Sequence, residues 1–193
     1  MSLGIIILAA GQSRRMRGGD KLLETVQGQP LLRRIQQAAA ATGCPVWVAL
    51  PGPSHPRAAH LLPASQPVYV PDAALGLSAS IRRAVAALPE DISAAMITPA
   101  DMPELTSADF SALATAYRGQ ILRATSAHGQ AGHPVIFPRS YFSDLAQLTG
   151  DQGARALLAN AAGLHSLARP GTHATTDLDT PEAWAEWRAA QQP

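Results

Sequence analysis

The fold is decided by residues 4–21, which read GIIILAAGQSRRMRGGDK. The first five residues are apolar and do not alternate with polar ones, which is typical of a strand buried on both faces. Strands of this kind build parallel sheets, in which the ligand binds beyond the carboxyl ends of the strands. The glycine-rich turn that follows carries four cationic side chains, Arg14, Arg15, Arg17 and Lys21. The stretch therefore predicts a phosphate site in this turn, with a solvated basic loop as the alternative.

Lys21 is the only lysine among 193 residues, whereas the chain contains 15 lysine and arginine residues in total. A lysine places a compact ammonium on a flexible stem, and an arginine presents a planar fork, so the two are not interchangeable beside a phosphoryl group. This choice of residue predicts that Lys21 contacts a phosphate. The alternative is a lysine that stands there by chance.

The motif Leu8-Ala9-Ala10-Gly11-x-Ser13-x-Arg15-Met16, followed by Lys21-Leu22-Leu23, resembles the signature of the MobA-like NTP transferases. This family includes the molybdenum cofactor cytidylyl- and guanylyltransferases. The resemblance implies that the loop wraps a nucleoside triphosphate and that Arg15 and Lys21 contact its phosphates and serve catalysis. Arg17 looks like an insertion, so the loop is slightly longer than the family pattern. The implied nucleotide-binding residues in this loop are Leu8, Ala9, Ala10, Gly11, Ser13, Arg15 and Lys21.

Strands and helices alternate along the rest of the chain. We predict further strands at 46–50, 68–70, 94–97, 121–125, 135–138 and 164–167, and helices at 30–42, 54–62, 78–88, from 106, at 155–161 and from 181. This order predicts an α/β fold with a three-layer, doubly wound, mostly parallel sheet, which the resemblance makes a Rossmann-like nucleotidyltransferase fold. We expect a single nucleotidyltransferase domain over 1–193, in which 1–105 bind the nucleotide and 106–193 bind the acceptor.

The segment around Gly76 is a second candidate for contact with the nucleotide. Gly76 lets the backbone approach a ligand closely, and Ser78 is a good N-cap for the helix that follows. A helix N-terminus also attracts anions and polar base edges. A capped crossover helix without a ligand is the alternative. In the family, a Gly-Met-Ser-x-Ser stretch here helps to enclose the nucleotide, and Leu77 replaces its methionine.

A carboxylate follows the fourth strand in the segment TPADMP, residues 98–103. The prolines on both sides restrict the backbone, so Asp101 is held in place. Because Mg²⁺ is bound by one or two carboxylates plus phosphate oxygens, Asp101 is the predicted magnesium ligand, with an ordinary turn residue as the alternative. The segment resembles the family's metal-binding Asp-Met-Pro motif. The resemblance also implies a second ligand before Thr-Pro-Glu, for which we choose Asp179 over Asp177; a solvated turn is the alternative.

Two later segments resemble family motifs on the acceptor side of the cleft. They are Gly132-His133-Pro134 and Gly150-Asp151-Gln152-Gly153-Ala154-Arg155. The resemblance implies that His133, Asp151 and Arg155 bind the acceptor, with Arg155 on its phosphate or pterin. The local alternatives are an ordinary loop histidine and, for Asp151, a cap on the helix at 155–161.

Composition excludes several classes of protein. A net charge of +1 favours neither nucleic acid nor a membrane surface as a partner. No apolar run approaches the length of a membrane span and no signal peptide is evident, so we expect a cytoplasmic protein. The lone Cys44 excludes an internal disulfide and a thiolate-rich zinc site.

Together these features predict a magnesium-dependent nucleotidyltransferase, in which an acceptor phosphate attacks the α-phosphorus of an NTP and pyrophosphate leaves. Ala10 resembles the cytidylyl branch, because the guanylyl branch usually has a second glycine there. CTP is therefore the expected donor, molybdopterin the expected acceptor and a molybdoenzyme a further partner. A nucleotide- or molybdopterin-binding chaperone and a sugar-phosphate nucleotidyltransferase are the alternatives. The glycine patterns of nicotinamide-binding and P-loop proteins are absent from the sequence.

Overall fold

The computed structural model describes residues 2–151, 153–161 and 163–191. The strands are β1 (Leu3–Leu8), β2 (Thr25–Val26), β3 (Gln29–Pro30), β4 (Val46–Leu50), β5 (Ser65–Tyr69), β6 (Ala94–Pro99), β7 (Leu122–Thr125), β8 (Ala131–Pro138) and β9 (His165–Ala168). The α-helices are α1 (Leu31–Ala40), α2 (Leu77–Ala86), α3 (Ser107–Ala116), α4 (Phe142–Ala146), α5 (Arg155–Ala159) and α6 (Pro181–Ala190). Short 3₁₀ helices cover 14–16, 56–60, 73–75 and 139–141.

Seven of the strands form one sheet in the order β5-β4-β1-β6-β8-β7-β9, while β2 and β3 form a separate hairpin. Strand β1 pairs in parallel with β4 and β6, β4 pairs in parallel with β5, and β9 pairs in parallel with β7. Strand β8 is antiparallel to both of its neighbours. The predicted α/β fold with a mostly parallel sheet is confirmed.

The register of the central strands positions the candidate site. Leu8, the last residue of β1, pairs with Pro99, the last residue of β6. The glycine-rich loop and the segment that carries Asp101 therefore leave the sheet side by side. The backbone N–H of Ala100 donates to the carbonyl of Leu8 at 3.1 Å and extends this pairing one residue beyond the strand.

Both faces of the sheet are covered, and this explains the apolar run of β1. Ile5 and Ile7 belong to a buried cluster with Phe110 of α3, whereas Ile6 belongs to a cluster on the other face with Ile81 of α2. Successive side chains of a strand point to opposite faces, so a strand between two helical layers must be apolar throughout. No helix in the described part of the chain is both long and apolar enough to cross a membrane.

The prediction that Ser78 caps α2 is wrong. The helix begins at Leu77, with Gly76 in the N-cap position, and Ser78 is fully buried in the first turn. The backbone N–H of Ser78 donates at 3.2 Å to the carbonyl of Gly150, a residue far away in sequence. A backbone carbonyl thus satisfies one of the free N–H groups at this helix end, which a side-chain cap would otherwise do.

Two of the boundaries that differ from the predicted ones concern predicted site residues. Strand β8 begins at Ala131, so His133 lies in a strand and not in a loop. Helix α5 has Ala154 in its N-cap position, so Asp151 does not cap it. Gln152, part of the same predicted segment, lies outside the described residues.

Candidate active site

A cavity of about 360 Å³ opens at the carboxyl ends of β1 and β6. Its lining comes from both predicted halves of the chain. Most of the predicted site residues lie on its wall: Leu8, Ala10, Gly11, Ser13, Arg15, Lys21, Gly76, Asp101, Asp151 and Asp179. Ala9, Ser78, His133 and Arg155 are not among the residues that line it.

Lys21 lies at the centre of the charged part of this cavity. Its ammonium donates to Oδ2 of Asp101 and, at 2.5 Å, to Oδ1 of Asp179. Burial alone would lower the pKa of Lys21, but the charges and hydrogen bonds of Asp101 and Asp179 outweigh it and raise the pKa above its ordinary value. Lys21 is therefore charged at neutral pH, and the two predicted metal ligands converge on one cation.

Asp179 is fixed by the start of α6. The hydroxyl of Thr180 accepts a hydrogen bond from the backbone N–H of Ala183 at 3.2 Å and caps the helix, as its sequence predicts. The N–H of Leu178 donates to the carbonyl of Asp101 at 3.2 Å, which joins the two acidic segments. The second oxygen of Asp179 accepts a hydrogen bond from Arg15, whose side chain is 69% exposed.

Asp177, the alternative choice for the second metal ligand, makes neither of the two carboxylate contacts of Lys21. Burial raises the pKa of Asp177, and the negative charges of Asp101 and Asp179 add to this effect. The structure therefore brings three carboxylates into one region, those of Asp101, Asp177 and Asp179. Of these, Asp101 and Asp179 bind Lys21.

The donor set suits a hard divalent cation. Oδ1 of Asp101 is buried and has no hydrogen-bond partner among the described residues, so this oxygen can accept a cation. Over the same residues, no group of three or more His, Cys, Asp or Glu side chains is arranged to hold a metal ion. Two carboxylates that share a site with substrate phosphate oxygens match the usual coordination of Mg²⁺.

Arg57, a buried cation behind the loop, is a residue of the site that the sequence does not predict. Arg57 is 1% exposed and forms an ion pair with Asp20 at 2.7 Å. Burial would raise the pKa of Asp20, but the hydrogen bonds and charge of Arg57 bring it below its ordinary value. The only signal in the sequence is the position of Arg57 just after β4, at the same edge of the sheet as the loop.

Gly76 lies very close to another segment of the chain. It has φ +108°, and a Cβ atom there would lie 2.3 Å from Oδ1 of Asp151 and 2.7 Å from the carbonyl oxygen of Gly150. The neighbour that excludes a side chain is thus a segment of the same chain. This contact brings Asp151 to the cavity wall. Cavity residues that sequence analysis missed include Gln12, Ala73, Ala74 and Ser80.

His133 and Arg155 lie away from this wall. Burial lowers the pKa of His133 to about 4, and the charge of Arg123 adds to this effect, so His133 is neutral near pH 7. Its Nδ1 atom is buried and has no partner within the described residues. Arg155 is exposed at the first position of α5.

The chain is similar in sequence and fold to several known proteins. A protein from Synechococcus elongatus named probable molybdenum cofactor guanylyltransferase is 47% identical over 68 residues, which cover 35% of this chain and 32% of that protein. The chain thus matches about a third of the length of the curated relatives. The crystal structure of Rv0371c from Mycobacterium tuberculosis H37Rv has a TM-score of 0.85 and 25% identity, with coverage of 96% of this chain and 97% of that one.

A manganese complex of Rv0371C from the same organism gives a TM-score of 0.82 at 24% identity, with coverage of 96% and 97% of the two chains. This second likeness shows the shared fold. A family model, the MobA-like NTP transferase domain, matches residues 5–167. Because that match covers most of the 193 residues, the chain belongs to the MobA-like NTP transferase domain family.

Proposed function

We propose that this protein is a magnesium-dependent nucleotidyltransferase, which moves a nucleoside monophosphate from an NTP to the phosphate of a molybdopterin-type acceptor and releases pyrophosphate. The observation that carries the proposal is the position of Lys21 between Asp101 and Asp179, in a cavity that the glycine-rich loop also lines. This arrangement joins a phosphate-binding cation to two metal-binding carboxylates.

The loop binds the triphosphate in this proposal. Arg15 is mostly exposed at the cavity wall, so it is free to reach phosphate oxygens while its present partner, Asp179, turns to a metal. Lys21 stabilises the charge that develops on the α-phosphate, because a preorganised cation in a site shielded from water acts more strongly than one in bulk water. No protein nucleophile is needed, since binding aligns the acceptor oxygen with the phosphorus.

Asp101 and Asp179 are the proposed magnesium ligands. Lys21 binds one oxygen of each carboxylate, and Oδ1 of Asp101 has no partner among the described residues. Oxygens of the substrate phosphates would supply further ligands. When bound, the metal neutralises phosphate charge and orients the triphosphate. The manganese complex of Rv0371C shows that protein with a divalent cation and supports this part of the proposal.

The acceptor enters from the side formed by 106–193. Asp151 supports this because it lies on the same wall as the nucleotide loop. His133 and Arg155 remain proposed acceptor contacts, with Arg155 exposed and available to an anionic group. A molybdoenzyme that receives the finished cofactor is the proposed partner.

Ala10 supports CTP as the nucleotide, because this residue lies on the cavity wall at the position where the guanylyl branch usually has glycine. GTP is the second candidate, since the Synechococcus relative bears the name of a guanylyltransferase. One assay distinguishes CTP from GTP as the donor.

The test is release of pyrophosphate from each NTP in the presence of Mg²⁺ and molybdopterin. The proposal expects release that depends on molybdopterin, with CTP as the best donor; a preference for GTP would instead assign the second candidate. Tight binding of nucleotide or molybdopterin without any release of pyrophosphate would indicate a carrier protein. Release with sugar phosphates but not with molybdopterin would indicate a sugar-phosphate nucleotidyltransferase.

A further inference from the structure

Arg57 uses every hydrogen-bond donor of its guanidinium group. Its Nε and one Nη2 proton donate to the two oxygens of Asp20, both at 2.7 Å, and Nη2 also donates to the hydroxyl of Ser13 at 2.9 Å. Nη1 donates to the carbonyls of Ala9 at 2.6 Å and Gly11 at 2.7 Å. An arginine has five N–H donors in a rigid fork, so this set of acceptors is complete.

All of these acceptors belong to the glycine-rich loop. Ala9 and Gly11 lie at its start, and Asp20 lies at its end, directly before Lys21. Asp20 also accepts a hydrogen bond from the N–H of Leu22 at 3.0 Å, so the residues on both sides of Lys21 are fixed. Without the carboxylate of Asp20, the buried guanidinium of Arg57 would destabilise the fold, because its charge would have no partner. Arg57 and Asp20 are therefore positioned together as one ion pair.

The two carbonyl contacts also decide where neighbouring N–H groups point. In a trans peptide, the carbonyl of one residue and the N–H of the next are antiparallel in one plane. Because Arg57 binds the carbonyls of Ala9 and Gly11, the N–H groups of Ala10 and Gln12 point away from Arg57. Ala10 and Gln12 line the cavity, and in the described part of the chain neither N–H donates to a protein acceptor.

We propose that Arg57 is a positioning residue, which turns the backbone N–H groups of Ala10 and Gln12 into the cavity to bind the phosphates of the NTP. The inference rests on the proposed function, since it takes a nucleoside triphosphate as the ligand. Backbone N–H groups that face one cavity can together bind an anion. The guanidinium of Arg57 binds the loop, and Arg57 is not among the residues that line the cavity.

The test compares Arg57→Lys with Arg139→Lys. A lysine at 57 keeps the positive charge beside Asp20 but offers only three donors, which cannot span both carbonyls, Ser13 and the carboxylate. Arg139 is a matched control, because its Nη1 also binds backbone carbonyls, those of Ile92 at 2.7 Å and Pro89 at 3.3 Å. These contacts lie at the opposite end of β6 from the cavity.

Calorimetric titration measures the affinities of each protein for CTP and CMP, and for GTP and GMP. We expect Arg57→Lys to weaken binding of the triphosphate about tenfold or more while the monophosphate affinity changes little. Arg139→Lys keeps the wild-type ratio of the two affinities. A purely structural role of Arg57 would lower the melting temperature without changing this ratio, and that result would overturn the inference.

A second measurement uses only the wild-type protein, so it holds even if Arg57→Lys does not fold. Inorganic triphosphate is titrated into ¹⁵N-labelled protein, and the amide signals are followed by NMR. The inference expects the signals of Ala10 and Gln12 to shift with the occupancy of the site. Binding of triphosphate without a shift at these two amides would overturn it. Failure of the wild-type protein to bind any nucleotide would instead contradict the proposed function.

Discussion

The ammonium of Lys21 lies 2.5 Å from the carboxylate of Asp179, although 158 residues separate them in sequence. The same ammonium binds Asp101, so a single positive charge occupies the point at which both proposed metal ligands converge. We therefore expect a divalent cation to compete with Lys21 for the two carboxylates when no nucleotide is bound. A triphosphate would resolve this competition by offering Lys21 a new partner.

Removal of the ammonium should strengthen metal binding in the absence of nucleotide. In Lys21→Met, the carboxylates of Asp101 and Asp179 keep their charge but lose their cation, so we expect Mn²⁺ to bind about tenfold more tightly, while pyrophosphate release falls at least about 100-fold. Electron paramagnetic resonance of free Mn²⁺ measures the affinity. Arg33→Met, on the exposed side of α1, is the control. Weaker Mn²⁺ binding in Lys21→Met would contradict the competition.

Asp101 should matter for rate far more than for stability. We expect Asp101→Ala to reduce pyrophosphate release by about 100-fold or more, because one of the two proposed metal ligands is lost. The fold should persist, since removal of this carboxylate leaves Lys21 paired with Asp179. Circular dichroism checks the fold, and Asp144→Ala on the exposed face of α4 is the matched control. Full activity in Asp101→Ala would remove Asp101 from the metal site.

Gly76 should tolerate no side chain. An alanine there keeps a φ of +108° and places its Cβ 2.3 Å from Asp151, so we expect Gly76→Ala to lose about 2 to 4 kcal/mol of unfolding free energy. Gly119→Ala is a matched control, because Gly119 has φ +99° and a Cβ atom added there would meet no other atom within 4 Å. Urea denaturation of both variants separates the clash from the backbone strain. Equal losses would show that the contact with Asp151 is unimportant.

Protonation of His133 should lower the free energy of unfolding in mild acid relative to neutral pH. Its pKa in the folded protein is about 4, below the ordinary value of 6.5, so the unfolded chain binds a proton at a higher pH than the folded one. The free energy of unfolding should therefore fall by about 1 to 3 kcal/mol between pH 6.5 and 4 from this residue. Urea denaturation at several pH values measures this slope. We expect a flatter slope in His133→Gln and an unchanged one in His128→Gln, where the replaced side chain is exposed. An unchanged slope in His133→Gln would refute the assignment.

Local patterns were sufficient for the centre of the fold. The apolar run of β1, the glycine-rich turn and the segment before Asp101 each follow from neighbours in sequence, and parallel pairing of β1 with β6 then brings Lys21 and Asp101 into one cavity. Asp179 was predicted as a site residue only because the Thr-Pro-Glu segment after it resembles the family pattern. Its place beside Lys21 depends on contacts across most of the chain.

Contacts between distant segments explain what sequence analysis missed. Arg57 contacts the loop through Asp20, 37 residues earlier, and through residues that lie still earlier in the chain, and nothing around Arg57 indicates burial of a charge. The sequence predicts that Ser78 caps a helix, but in the structure the N–H of Ser78 donates to the carbonyl of Gly150, a distant residue. In both cases a group from another part of the chain satisfies a polar group that local rules assign to a near neighbour.

The position of Lys21 between metal and phosphate can be observed in a crystal structure with Mn²⁺ and a non-hydrolysable CTP analogue. We expect an anomalous manganese peak bound by Asp101, Asp179 and oxygens of the triphosphate, with the ammonium of Lys21 moved onto a phosphate. A manganese ion or a triphosphate bound at another place, with Lys21 still held between the two carboxylates, would contradict it.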